Sequence, residues 1–486
     1  MITDELVLRV TEQFGYEPTA DQRHALKTFA KFMFDRDERS VMLLRGSAGT
    51  GKTSLAGAIV RSLLALKQKL VLMAPTGRAA KQFSLNSGSK AFTIHRRIYR
   101  ERSYGGLYGE FNLNNNLSAD TLFMVDEASM ISGGHGGSDG NFGSGSLLND
   151  LVSFVYSGRN CHLLLIGDKA QLPPVGEQHS PALNTMEMQA MGLKVYECDL
   201  NEVVRQEQES GILYNATLIR HRLDDFSSDA SCQVAFPQIH FKLFADIRSV
   251  PGNELIECLN SSYSEVGTDE TMVITRSNKR ANIYNQGIRN TILDCEEQLV
   301  TGDMVMVVKN KYIDQPEKQG AESRLSFIAN GDRARVKRVR NIRELYGFHF
   351  ADVTLQFPDY DQLELEQTVI LETLATEAPA LSREQNELLF QRVMEDYADI
   401  PLKKDRMAKL KQDDYFNALQ IKFAYAVTCH KAQGGQWAHI YVDHGYMTDE
   451  MLTPDYYHWL YTAMTRATEK LFLVNWPKNY TADADQ

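Results

Sequence analysis

The apolar run Val41-Met42-Leu43-Leu44 leads into Gly46-Ser47-Ala48-Gly49-Thr50-Gly51-Lys52-Thr53, and the helix-forming stretch Leu55-Ala56-Gly57-Ala58-Ile59-Val60 follows. Strand, glycine-rich turn and helix in that order form the setting of a phosphate-binding loop. Glycines let the backbone curl so that successive N–H groups face phosphate oxygens. The helix starting near Lys52 adds the positive end of its dipole. Lys52 would reach the β- and γ-phosphates of a nucleotide, and the Thr53 hydroxyl would ligate Mg²⁺. A chance glycine-rich turn would explain neither the strand–helix setting nor the Lys-Thr pair.

A chain of 486 residues suggests about three domains at ~150 residues each. Hydrophobic residues at 43% and charged ones at 24% are ordinary for a soluble globular protein. No apolar run approaches the ~18 residues of a membrane span. The acidic start, Met1-Ile2-Thr3-Asp4-Glu5, lacks a signal-peptide pattern, so a cytoplasmic location is expected. Cys161, Cys198, Cys232, Cys258, Cys295 and Cys429 form no C-x-x-C pair, which points to free thiols rather than a zinc site or disulfide framework. The net charge of −11 gives no global nucleic-acid signature. A local cationic groove with short polar contacts could still grip a strand.

Apolar runs at 41–44, 70–74, 121–125, 162–166 and 194–198 alternate with helical patterns. Several are apolar throughout, as strands covered on both faces must be. This is a doubly wound α/β pattern, with ligands expected at the carboxyl ends of strands. Similar alternation returns at 271–292 and 420–475. Between them, 302–372 offers short β-rich runs with turn signals such as Asn330-Gly331-Asp332, which reads as a small inserted β-barrel. Residues 381–415 are charged and helical in character, and 132–146 form a glycine-serine loop.

Three further strings carry chemistry. Leu122-Phe123-Met124-Val125 runs into Asp126-Glu127. Asp126 would hold the Mg²⁺ shell and Glu127 would orient or deprotonate an attacking water. Leu163-Leu164-Leu165-Ile166-Gly167-Asp168 continues to Gln171-Leu172-Pro173-Pro174, with Gln171 placed to sense a γ-phosphate. A proline-stiffened turn would account for the prolines alone. Upstream, the amide of Gln22 both donates and accepts, so it can read an adenine edge.

Together these strings resemble superfamily-one DNA helicases of the RecD/Dda group, the 5′-to-3′ branch. Ala74-Pro75-Thr76-Gly77-Arg78-Ala79-Ala80-Lys81 resembles motif Ia, Thr93-Ile94-His95-Arg96 motif Ib and Leu200-Asn201-Glu202-Val203-Val204-Arg205-Gln206 motif IV. Val427-Thr428-Cys429-His430-Lys431-Ala432-Gln433-Gly434 resembles motif V, and Leu460-Tyr461-Thr462-Ala463-Met464-Thr465-Arg466-Ala467 motif VI. The likeness is collinear from about residue 14 to 475. It implies two RecA-like motor domains, a Src-homology-3-like barrel and a short hairpin pin. The expected division is 1–205 for the first motor domain, 206–300 with 416–478 for the second, and 301–415 for the insert. The pin falls at about 97–119, where Tyr99, Tyr104, Tyr108 and Phe111 could either stack on a base pair or pack the hairpin.

The resemblance implies ATP and Mg²⁺ as ligands. Arg205 and Arg466 would reach the γ-phosphate as arginine fingers, and Gly434 would join the nucleotide site. Single-strand contacts would come from Pro75, Thr76, Arg78, Thr93 and His95, and from Thr428, His430 and Lys431. The expected activity is ATP-dependent 5′-to-3′ translocation on single-stranded DNA with unwinding of duplex, in repair or recombination, by a monomer. The alternatives are an RNA or RNA–DNA hybrid helicase, and a non-unwinding ATPase subunit of a repair or nuclease assembly. The chain departs from the family in its long glycine loop, in its enlarged insert, and in starting without the amino-terminal extension of longer RecD relatives.

Overall fold

The apolar runs become strands of two parallel sheets, as continuous burial requires. The computed structural model describes residues 2–35, 37, 39–101, 111–134, 143–202, 209–228, 234–242, 244–312 and 327–482. Its strands begin with β1 (Ser40–Gly46), β2 (Lys69–Ala74), β3 (Ala91–Thr93), the antiparallel pair β4 (Tyr99–Glu101) and β5 (Phe111–Leu113), β6 (Thr121–Val125), β7 (His162–Gly167) and β8 (Lys194–Leu200). The first sheet has the order β3-β2-β6-β7-β1-β8.

Helices cover both faces of this sheet. On one lie α1 (Ile2–Phe14), α2 (Ala20–Met33), α3 (Lys52–Ala65) and α4 (Gly77–Ser87), burying Phe29, Leu55, Ile59 and Phe83 against the strands. On the other, α5 (Ile94–Ile98) and the helix Leu147–Ser157 bury Ile94, Leu151 and Phe154. Thr19 starts α2 with a full capping box to Gln22.

The chain then supplies β9 (Ile247–Val250) and β10 (Thr271–Thr275) before leaving for the insert. The insert contributes β11 (Met304–Val307), a short pair β12 (Lys311–Tyr312) and β13 (Phe327–Ile328), then β14 (Arg333–Leu345), β15 (Phe348–Phe357), β16 (Leu363–Ile370) and β17 (Leu419–Phe423). Strands β11-β14-β15-β16-β17 close into a barrel around Val305, Val336, Val353, Leu355 and Ile421. The chain returns as β18 (Ala426–Thr428), β19 (Trp437–Asp443) and β20 (Ala467–Val474), giving a second parallel sheet ordered β18-β10-β19-β20-β9. The fold is therefore two RecA-like lobes with an inserted five-stranded barrel.

One boundary differs from the sequence expectation. Residues 419–423, given to the second motor domain from 416 onward, form the barrel's closing strand, with Val305 opposite Phe423. An apolar five-residue run carries no mark of which sheet will receive it; the pairing partner, far away in sequence, decides. The charged stretch 381–415 is helical at Arg383–Glu395 and Lys403–Lys411. Its sparse apolar residues Leu389, Val393 and Leu410 build a separate small core with Phe348 and Phe350 of the β14–β15 hairpin. The hairpin expected as a pin is paired at its base through Tyr99 and Leu113. Tyr104 and Tyr108 lie outside the described residues, as do residues 135–142 of the glycine-serine loop.

Candidate nucleotide site and the seam between lobes

Residues Gly46, Ser47, Ala48, Gly49, Thr50, Gly51, Lys52 and Thr53 span the end of β1, the turn and the start of α3. Gly49 and Gly51 have φ of 77° and 76°, the left-handed region where a side chain is strained. Lys52 Nζ donates to Ser47 O at 2.7 Å, so the lysine folds back on the loop it would leave for a phosphate. Thr50 Oγ1 donates to the same carbonyl at 2.8 Å. Gln22 is buried beside the loop. Its amide nitrogen donates to Thr50 O at 3.0 Å and its oxygen accepts from Thr19 N. In this state Gln22 braces the loop with both ends of its amide.

β6 delivers Asp126 and Glu127 beside the loop. Glu127 has φ 52°, and its N–H donates to Asp126 Oδ1 at 2.9 Å. Burial, reinforced by the Glu127 charge, pushes the Asp126 carboxyl up to about 7. Thr53, Asp126, Glu127 and Gly434 line one cleft. A hydroxyl and a half-buried carboxyl poised there, with a lysine nearby, suit a cation bound together with phosphates. Gly434, at φ 70°, lets the second lobe approach: a Cβ there would meet Thr76 Oγ1 at 2.9 Å.

The helix Pro454–Met464 of the second lobe closes the seam. Arg466, just beyond it, is 3% exposed and lies 3.7 Å from Glu127 Oε1. Gln171 joins them: in the amide assignment that satisfies both neighbours, its nitrogen donates to Glu127 Oε2 at 3.3 Å and its oxygen accepts from Arg466 Nη2 at 3.2 Å. Lys52, Asp126, Glu127, Gln171 and Arg466 therefore border one seam. Arg205 lies outside the described residues.

Sequence reasoning passed over two members of this seam. Tyr461 Oη accepts from Ala48 N at 2.9 Å and donates to Asp168 Oδ2 at 2.6 Å, tying the phosphate loop to the second lobe. Arg220, on the helix Gly211–Ser228, donates to Ser47 Oγ at 2.6 Å. Tyr461 stands little more than one turn before Arg466 inside a quoted motif, so its helix face was a usable signal. Arg220 sits in an ordinary amphipathic helix and carried none.

The expected strand contacts gather at carboxyl ends of strands. Pro75 and Thr76 follow β2, Thr93 ends β3 and Thr428 ends β18. The hydroxyls of Thr76 and Thr93 cap α4 and α5, accepting from Ala79 N and Arg96 N. His95 packs against the Tyr99 ring, 5.6 Å between centroids. His430 is exposed on the short helix after β18, and Lys431 donates to Asn330 Oδ1 of the barrel. Arg78 points elsewhere. Its guanidinium stacks over Trp437 of the second lobe at 4.4 Å and donates to Gln436 O. Here it fastens lobe to lobe, because an indole face offers a cation a desolvated partner. The barrel also rests on α4, where Lys81 Nζ donates to Pro358 O at 2.6 Å.

Two family profiles match: an AAA domain at residues 17–222 and a UvrD-like helicase C-terminal domain at 423–474. The ATP-dependent RecD2 DNA helicase of Deinococcus radiodurans is 32% identical over 135 residues, 28% of this chain and 16% of that protein. The ATP-dependent DNA helicase dda of Enterobacteria phage T4 is 24% identical over 302 residues, 60% of each chain. This chain is similar to superfamily-one helicases of the RecD/Dda group. It spans 16% and 60% of the lengths of these two relatives. A Bacteroides Pif1 crystallised with single-stranded DNA shares 14% identity over 96% of this chain and 94% of its own, at a TM-score of 0.45. Among the described residues, no helix is long and apolar enough to cross a membrane.

Proposed function

We propose that this RecD/Dda-like chain is an ATP-dependent DNA helicase that moves 5′ to 3′ on single-stranded DNA and separates duplex ahead of it. The observation that carries this is the Glu127–Gln171–Arg466 cluster, in which an arginine of one lobe meets a carboxylate beside the phosphate loop of the other. Such a seam makes hydrolysis depend on lobe closure, the requirement for a two-lobed motor.

In this reading Lys52 leaves Ser47 O for the β- and γ-phosphates. Thr53 and Asp126 would hold Mg²⁺, which when bound screens the phosphate charge. Glu127 accepts a proton from the attacking water as its oxygen bonds to the γ-phosphorus and the bond to ADP breaks. Arg466 turns from Glu127 to the developing charge, with Arg205 as a second finger, and Gln171 relays its position. Gln22 reads the adenine edge, and Gly434 keeps the second lobe close to the phosphates.

Thr76, Thr93, His95, Thr428, His430 and Lys431 grip the strand by its backbone, with Pro75 and Arg78 beside them. Arg78 serves once the lobes part and it leaves Trp437. The motor domains are taken as 1–205 and 206–300 with 416–478, the barrel borrowing 419–423. The chain would act as a cytoplasmic monomer on forked DNA.

A duplex with one single-stranded tail tests both activity and direction. Unwinding from 5′ tails only is the expected result. Unwinding from 3′ tails only would overturn the direction, and ATP hydrolysis without unwinding would favour a subunit role.

A further inference from the structure

The cleft beside Asp126 and Glu127 reaches away from the Arg466 side of the seam. Bordered by Gly434 and Gln436 of the second lobe, it continues along α3 and α4 past Ser54, Gln82 and Asn86 to Arg61, Phe14 and Tyr16. Along α3, Thr53 stands at the inner end of this groove and Arg61 at the outer end, roughly 12 Å of helix rise apart. Ser54, Gly57 and Arg61 share one face of α3, and Ala79, Gln82 and Asn86 form the facing stripe of α4. Gly57 is what lets the two helices come this close, since a Cβ there would meet Asn86 O at 2.7 Å. The contact is completed where Arg61 Nη1 donates to Asn86 O at 3.1 Å.

Charge is ordered along this groove. The two carboxylates lie at its inner end. At the outer end Arg61 bonds the backbone carbonyls of Asn86 and Gln13, and has no carboxylate partner among the described residues. Gln22 and Thr50, where the adenine end would lie, do not line it. Meanwhile the seam is shut, with Arg466 3% exposed. A phosphate dianion that has left Lys52 and Arg466 meets the like charge of the two carboxylates at the inner end of the groove and the opposite charge of Arg61 at the outer end.

We infer that inorganic phosphate, the product of ATP cleavage, leaves through the α3–α4 groove past Gln82 to Arg61 while the lobes remain closed. This rests on the ATPase reading of the site. The test separates cleavage from departure. Rapid quenching measures cleavage of the γ-phosphate, a fluorescent phosphate-binding protein measures release, and heavy-oxygen exchange into the product counts reversals before departure. Gln82→Glu puts a negative charge on an exposed wall position. It should slow release about fivefold and raise oxygen exchange, with cleavage unchanged. Arg61→Gln should slow release similarly, and Arg61→Lys should restore it. If the wild-type protein cleaves ATP and all variants release phosphate and exchange oxygen as it does, the exit route is wrong and the ATPase stands. If the wild-type protein cleaves no ATP, the ATPase itself is wrong and the route falls with it.

Discussion

Arg466 and Glu127 face each other at 3.7 Å across the seam, one from each lobe. Each is the other's counter-charge until a γ-phosphate arrives. In the proposed mechanism, a nucleotide that draws Arg466 away would free Glu127 to accept a proton, so that binding and activation would share one rearrangement. Glu127 also sits at φ 52°, a backbone state uncommon for a non-glycine residue and concentrated at functional sites.

Arg466→Ala should lower strand-stimulated ATP turnover by roughly 10³-fold or more. Glu127→Gln should lower it by about 10²–10⁴-fold. Both should leave ATP binding within a few-fold, because the phosphate loop is intact. Steady-state turnover alongside binding of a fluorescent ATP analogue checks this. Near-normal turnover in either variant would remove that residue from the reaction.

Much of this site is local in sequence. A phosphate loop must be contiguous, since backbone N–H groups form it, and an acidic pair at a strand end is legible for the same reason. The strands of the first sheet are apolar on both faces and stand out. What stayed hidden depends on distant pairing: the β17 strand closing the barrel, the Tyr461 bridge and the Arg78–Trp437 stack. Arg78 reads as a strand contact because its motif says where it lies, not which way it turns. Its direction is set by Trp437, which lies in the other lobe and far along the chain.

Asp332 gives a pH signature. It is 2% exposed, accepts from Tyr360 Oη at 2.8 Å and from Ala329 N, and burial pushes its carboxyl up to about 7. The folded state then holds this proton more tightly than the unfolded chain, whose aspartate titrates near 3.8. Its contribution therefore favours folding at low pH and is lost as pH rises from about 4 through about 7. Asp332→Asn should flatten stability across that window and raise it above pH 7 by at most about 4 kcal/mol. Urea unfolding at several pH values measures both effects. An unchanged pH slope would show that Asp332 is ionised in the folded protein.

A buried ion pair anchors the barrel to the second lobe. Arg289 Nε meets Asp303 Oδ1 at 2.9 Å and Nη2 meets Oδ2 at 3.0 Å, with both residues at most 2% exposed. Asp303→Ala strands a buried guanidinium and should cost about 3–5 kcal/mol. Urea unfolding reads the loss, and a change below about 1 kcal/mol would mean that water or another acceptor takes the charge.

Tyr461→Phe removes one oxygen from the centre of the seam. The hydroxyl satisfies Ala48 N–H and supplies a donor to the Asp168 carboxylate, and the side chain is 1% exposed. Without it both groups lose a partner, and the nucleotide-free protein should be destabilised by about 1–3 kcal/mol. A phosphate in the loop can engage Ala48 N–H directly, so the deficit should shrink when a non-hydrolysable ATP analogue is bound. Thermal unfolding with and without the analogue tests this. Equal losses in both states would mean that Tyr461 only packs the seam, whereas a smaller loss with nucleotide makes its hydroxyl the contact through which the second lobe senses an empty loop.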